Sequence, residues 1–172
     1  MKKTLNFGFV EKKIRKKTFG VISTIDQNGH SHSTGIIYGT APSNLEFALY
    51  ILTDSNYKKV KNIENNNSIS FVIPFPHHIL RFVPASCVQF QGTAKIIPFS
   101  DKEAQNSFRN GPKILKTNLV QVSKMNKKEE EMVFIKIIPN RKIYCYGPGI
   151  GLMRLRKDIE SGSYFVKIHD ER

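Results

Sequence analysis

The chain has 172 residues, a formal net charge of +13 and 40% apolar residues, with 12 Phe, no Trp and two Cys. A chain of this length buries roughly 70% of its unfolded surface, so one domain with a real core is expected. Two cysteines exclude a disulfide framework, no apolar run reaches the roughly 18 residues of a membrane span, and the charge calls for an acidic partner: a phosphorylated cofactor, nucleic acid or an anionic surface.

No charged stretch followed by an apolar one marks a secretory leader, so a reducing cytoplasm is the expected setting. Residues 9–17 place Phe9, Val10 and Ile14 on one side and Lys12, Lys13, Arg15, Lys16 and Lys17 around the rest. That is the pattern of a short basic amphipathic helix. A nucleic-acid or membrane arm would share it, although a charge run usually marks a solvated face. Residues 19–26 read as a strand and residues 30–38 as its return, joined by a turn in which Asn28 and Gly29 supply positive φ. In the return strand Ser31, Ser33 and Thr34 give way to Ile36, Ile37 and Tyr38, so one end is wet and the other buried. GlyThrAlaProSerAsn at 39–44 closes a second hairpin.

The stretch 45–63, LEFALYILTDSNYKKVKNI, is the one around which the rest is organised. Leu45 to Leu52 is apolar apart from Glu46 and reads as a strand buried on both faces. Thr53, Asp54, Ser55 and Asn56 end it, and each can cap a helix or bend the backbone. A helix over 57–64 follows, with Lys58, Lys59 and Lys61 in its first turns, where the helix dipole disfavours a cation unless an anion is bound. A phosphate would resolve that conflict, held by unpaired N–H groups, by Thr53 and by the lysines. A solvated basic helix after an ordinary strand has the same pattern.

AsnAsnAsn at 65–67 stops the helix, and residues 68–73 form the next strand, followed by a loop, ProPheProHisHis. Residues 85–97 form a long strand in which Gly92 marks a bulge or a close backbone approach. Ser100 with Glu103 is a capping box opening a helix to Asn110, Gly111 and Pro112 break it, and 113–125 supplies a second helix. Strands at 132–138 and 141–146, separated by Pro139 and Asn140, complete a set of six or seven mostly antiparallel strands with peripheral helices. Consecutive hairpins at this spacing suggest a closed or split barrel. His30, His32, His77 and His78 lack the spacing of a metal site, and GlyProGlyIleGly at 147–151 leaves too little chain for a dinucleotide-binding unit. No nucleophile elbow is present.

The series strand, AsnGly turn, strand, hairpin, strand ending in Thr, then TyrLysLysValLysAsnIle resembles the FMN-binding split barrels related to pyridoxamine 5'-phosphate oxidase. SISFVI, VQFQGTAKII and FIKIIPNRKIYCY continue the likeness across residues 9–146. The resemblance implies FMN as cofactor, oxidoreductase chemistry on an unidentified substrate, and a homodimer with the flavin between subunits. It implies that Lys58 and Lys59 hold the phosphate beside Tyr57, that Leu52 and Thr53 line the flavin, and that Thr34, Gly35 and Ile36 face its ring and ribityl chain. Gln89 is the polar contact it implies from the long strand, with a plain sheet-surface residue as the alternative.

The oxidases themselves carry a Trp and an Arg-Leu-His stretch near the C-terminus that grips substrate phosphate. Here there is no Trp, and Arg154, Leu155 and Arg156 put an Arg in place of the His. That departure speaks against vitamin B6 oxidation, while Arg154 and Arg156 remain candidates for an acidic substrate group; a basic helix face has the same sequence. Haem- or deazaflavin-binding relatives, and a non-enzymatic basic nucleic-acid-binding module, are the alternatives.

Overall fold

The computed structural model of the chain describes residues 5–76, 85–124, 131–158 and 160–168. His77 and His78 of the Pro-bounded loop lie outside them. All seven expected strands are present, and the chain folds as a mostly antiparallel split barrel with helices at its periphery. Helix α1 (Phe7–Ile14) precedes a hairpin of β1 (Phe19–Ile25) and β2 (Ser31–Ile37), whose register runs from Phe19 opposite Ile37 to Ile25 opposite Ser31. At the turn, Gly29 alone has positive φ, at 81°. Asn28 does not need it, because Asp26 Oδ1 accepts the N–H groups of Asn28 and His30 and so bends the backbone by itself.

A two-residue β3 (Gly39–Thr40) pairs with β4 (Leu49–Asp54). The central strand therefore starts four residues later than the apolar run does, and it continues through Thr53 and Asp54. Leu45 donates its N–H to the Pro42 carbonyl in a turn and stays exposed, while Phe47 packs edge-on against Phe7 at 5.2 Å and serves the core without joining the ladder. Helix α2 (Lys58–Asn65) follows, then β5 (Ser68–Phe75) and the 13-residue β6 (Ser86–Pro98).

Strand β6 explains how the sheet divides. Along one edge, residues 92–98 pair with β7 (Met132–Pro139), while residues 87–89 pair with β8 (Lys142–Tyr146). Strands β7 and β8 thus lie end to end along β6 instead of forming the hairpin their sequence spacing suggests. Asn140 at the junction donates its N–H to the Gln91 carbonyl at 2.8 Å. Gly92 is the close approach: a Cβ there would collide with the Ile138 carbonyl oxygen and stand 2.9 Å from the Pro139 Cα. From β7 the sheet continues to β4 and β3, and from β8 it continues to β9 (Ser163–Lys167). The tail 147–168 is more than a loop: Gly147 and Gly149 take positive φ, α5 (Leu152–Lys157) follows, and β9 returns to the sheet.

Two apolar clusters form. One fills the barrel with Ile22, Tyr38, Leu49, Ile51, Phe71, Phe90 and Ile137. The other lies between the outer face of β4 and β7 and the helix pair α3 (Lys102–Arg109) and α4 (Lys113–Lys124), and contains Tyr50, Phe108, Leu115, Leu119 and Phe134. That second layer is why Leu49–Leu52 of β4 is apolar on both faces and β7 is interrupted only by Lys136 instead of alternating. Helix α3 is capped by Asp101, whose Oδ1 accepts from the Ala104 N–H at 2.8 Å, and not by Ser100. Glu103 leaves the cap and instead accepts from the buried Tyr50 hydroxyl at 2.5 Å, with Lys136 at 3.5 Å.

Candidate functional site

The end of β4 and the start of α2 open onto a cavity of about 400 Å³. Its floor is the outer side of β2 and β4, through Gly35, Ile37 and Leu52, and its roof is the α3–α4 pair, through Phe108, Asn118 and Val122. Gly35 matters for shape: a Cβ there would come to 3.1 Å from the Phe19 ring. Met132 closes the β7 side, and Asp54, Tyr57 and Lys59 form the polar end.

The charge at that end is unusual. Tyr57 occupies the N-cap of α2 with no side-chain cap bond, and the first turn holds no acidic residue. Lys59 is only 7% exposed, its ammonium lies 4.5 Å from the centre of the Tyr57 ring, and it makes no hydrogen bond among the described residues. Burial pushes its pKa below the usual lysine value, while the Asp54 carboxylate pulls the other way. Asp54 itself accepts from the Asn56 N–H at 2.8 Å. A desolvated cation at a helix N-terminus is the complement of a bound anion.

Of the residues the sequence pointed to, Gly35, Ile36, Leu52, Thr53, Tyr57 and Lys59 line this one cavity. Three others stand off it. Lys58 turns to the β1–β2 turn, 3.5 Å from Asp26 Oδ2. Thr34 lies 3.5 Å from His32 Nδ1. Gln89 is exposed on the outer face of β6, between Val72 and Tyr144. Arg154 belongs to α5 and places its Nε 3.3 Å from Ser161 Oγ, away from the cavity wall; the Arg156 side chain lies outside the described part. Sequence reasoning missed Phe108, Asn118, Val122 and Met132. Asn118 and Val122 stand four apart on one helix face, which is visible in the sequence, but nothing local says that face covers β4.

The sequence pattern of the pyridoxamine 5'-phosphate oxidase family matches residues 9–141. The chain belongs to that family. No curated protein matches this family member in sequence. Among solved structures it is similar to HutZ, the haem storage protein from Vibrio cholerae, with 11% identity, a TM-score of 0.63, and coverage of 84% of this chain and 98% of that one. It is also similar to an FAD-binding protein from Mesorhizobium loti, at 14% identity and TM-score 0.58, covering 81% and 90%. A third is a pyridoxamine 5'-phosphate oxidase-related, FMN-binding protein from Nostoc punctiforme, at 9% identity and TM-score 0.54, covering 78% and 76%. At such identities these likenesses establish the shared fold, and the three proteins bind three different groups on it. Among the described residues no helix is long and apolar enough to cross a membrane, and no cluster of metal-ligating side chains forms.

Proposed function

We propose that this family member binds FMN in the cavity between β4 and the α3–α4 pair and works as a flavin-dependent oxidoreductase. The observation that carries the reading is Lys59: a lysine only 7% exposed at the head of α2, with no hydrogen-bonded acceptor among the described residues, at the polar end of a cavity of about 400 Å³. Lys59 and the first N–H groups of α2 would hold the phosphate, and Ile37, Leu52 and Met132 would flank the ring. The flavin, once bound, supplies electron transfer between a donor and an acceptor. The chain's own part is to orient that ring, exclude water from one side of it, and neutralise the phosphate.

A homodimer is part of the same proposal. Across the outer face of the sheet, strand register aligns Gly35, Val21, Val72, Gln89, Tyr144 and Phe165 in one transverse row. Phe165 is 56% exposed at one end and Phe19, over Gly35, is 51% exposed at the other. Such a continuous, weakly polar sheet face suits a second copy. Gln89 and Arg154, which face away from their own cavity, would then be available to the partner's flavin and its substrate. The two free cysteines accord with a reducing, cytoplasmic setting.

The test is an absorption spectrum of the purified protein before and after FMN is added, with sedimentation to give the oligomeric state. Flavin bands that travel with a dimer are expected, bleached by a reduced nicotinamide or another donor. A Soret band, or a protein that ignores FMN, would overturn the cofactor assignment.

A further inference from the structure

Helix α2 begins with two adjacent lysines, and the fold spends them differently. Lys59 is buried at the cavity, whereas Lys58 reaches Asp26 Oδ2 at 3.5 Å with its side chain 57% exposed. Asp26 is also held by contacts other than this one. Its Oδ1 accepts the N–H groups of Asn28 at 3.0 Å and His30 at 2.9 Å, which fixes the carboxylate at the β1–β2 turn. The bond from the His30 N–H holds the Asp26 carboxyl below the usual carboxylate range; desolvation opposes it, and the Asn28 N–H and the nearby Lys58 add smaller contributions in the same direction as His30. The helix is fixed to the same hairpin from inside. Buried Asn62, one turn further along α2, donates through Nδ2 to the Oγ1 of buried Thr24 at 2.9 Å. The spacing between Asp26 and the start of α2 is therefore a property of the fold, and the flexible lysine stem adapts to it.

We infer that Asp26 sets the affinity of the phosphate site by withholding Lys58 from it. With the Asp26–Lys58 pair formed, Lys59 is the one lysine among the described residues lining the cavity. When Asp26 loses its charge, Lys58 is released to the same helix N-terminus and joins Lys59 on the anion. The consequence is counter-intuitive: removing a carboxylate from a distant turn tightens the binding of a phosphorylated cofactor. The inference rests on the flavin reading above. It differs from the pairing of both lysines on the phosphate that the family resemblance implies.

The test is a titration of FMN, and separately of riboflavin, into the wild type, Asp26→Asn, Lys58→Met, the double variant and Lys59→Met, read by quenching of flavin fluorescence. Asparagine keeps an oxygen for the two turn N–H groups, so the hairpin is retained. Asp26→Asn is expected to tighten FMN about two- to fivefold, the strength of an exposed ion pair, and to leave riboflavin unchanged. Lys58→Met alone should change little, and the double variant should return to the wild-type value. Tightening that survives in the double variant would show Asp26 acting through its own charge, and would overturn the lock. So would an FMN affinity unchanged by Asp26→Asn, or a loss in Lys58→Met equal to that in Lys59→Met. Weakening by Lys59→Met with Asp26→Asn silent removes the lock and keeps the cofactor; a wild type that binds neither flavin removes both.

Discussion

Two cavities of nearly equal size sit on either side of the same stretch of chain. Residues 35–37 and Phe108 line one, of about 400 Å³; residues 38–42 and Ser107 line the other, of about 390 Å³. The second is edged by Arg15 and by the exposed Lys17, the first by Lys59, and the two well-covered cations, Arg15 and Lys59, are used in opposite ways. Arg15 is fully engaged by the protein: Nε and Nη2 donate to Glu11 Oε1 at 3.0 and 2.7 Å, and Nη1 donates to Thr40 Oγ1 at 3.1 Å and to the Ala41 carbonyl at 2.5 Å. Lys59 has no such oxygen among the described residues. Volume therefore does not separate the two cavities, but the commitment of the covered cation's donors does. A guanidinium whose donors are committed holds α1 to β3; an ammonium with none committed is available to a ligand.

The sharpest way to break that comparison is to remove each cation and read two quantities. Arg15→Ala should cost about 3 kcal/mol of stability in urea unfolding, because it deletes charge-assisted bonds in a half-buried setting, and should leave FMN affinity unchanged. Lys59→Ala should do the reverse, weakening FMN by about 2 kcal/mol, the scale of one charge-assisted contact, with the fold intact. If Arg15→Ala weakened FMN as much as Lys59→Ala does, both cavities would share one ligand. A smaller effect separates cost from use. Lys59→Met keeps the length of the side chain and drops the charge, so the ligand-free protein should gain about 1 kcal/mol, or about 3 °C in Tm, while FMN binding falls. A Tm that drops would mean the ammonium has a protein partner and the comparison fails.

The barrel was largely legible because the signals for it are local. Turn residues at 27–29 and 65–67 bounded β1, β2 and β5, the glycine at 92 marked a bulge or a close approach, and the stretch 45–63 marked a strand–turn–helix unit with a basic helix start. What was not legible depends on long-range pairing. Pro139 and Asn140 look like a hairpin turn, yet they mark the point where β6 exchanges one neighbour for another, and no property of those two residues encodes that. Capping was misread for a similar reason: Ser100 and Glu103 have the right spacing, but Tyr50, 53 residues away in sequence from Glu103, claims the carboxylate. The site divides along the same line. Thr53, Tyr57 and Lys59 follow from one local motif, whereas Phe108, Asn118 and Val122 reach the cavity only because α3 and α4 fold over β4. Lys58 shows the limit most plainly, since its neighbour in sequence enters the cavity and its own direction is decided by Asp26, on a different hairpin.

The smallest expected effect is on the pH dependence of stability, and it tests whether Lys59 is truly desolvated. Its pKa in the ligand-free fold lies below the ordinary value of 10.5 because burial penalises the charged form. Between the depressed value and 10.5 the unfolded chain holds a proton that the folded chain has released, so the unfolded state binds more protons and stability must rise with pH across that window. Below the window both states are charged and the burial penalty is felt in full. Buried phenols oppose this at higher pH: desolvation pushes Tyr38 upward, and desolvation together with Glu103 pushes Tyr50 upward, so above about 10 the folded state binds more protons and stability falls. The two contributions separate when wild type and Lys59→Met are unfolded in urea at a series of pH values up to 10.5, because the tyrosines are common to both. The difference between the curves should shrink steadily as pH rises through the window. Saturating FMN should abolish that slope in the wild type, since a phosphate beside the ammonium restores the charged form. A difference independent of pH would place the Lys59 ammonium in water, and the anion site would have to be sought elsewhere on the helix.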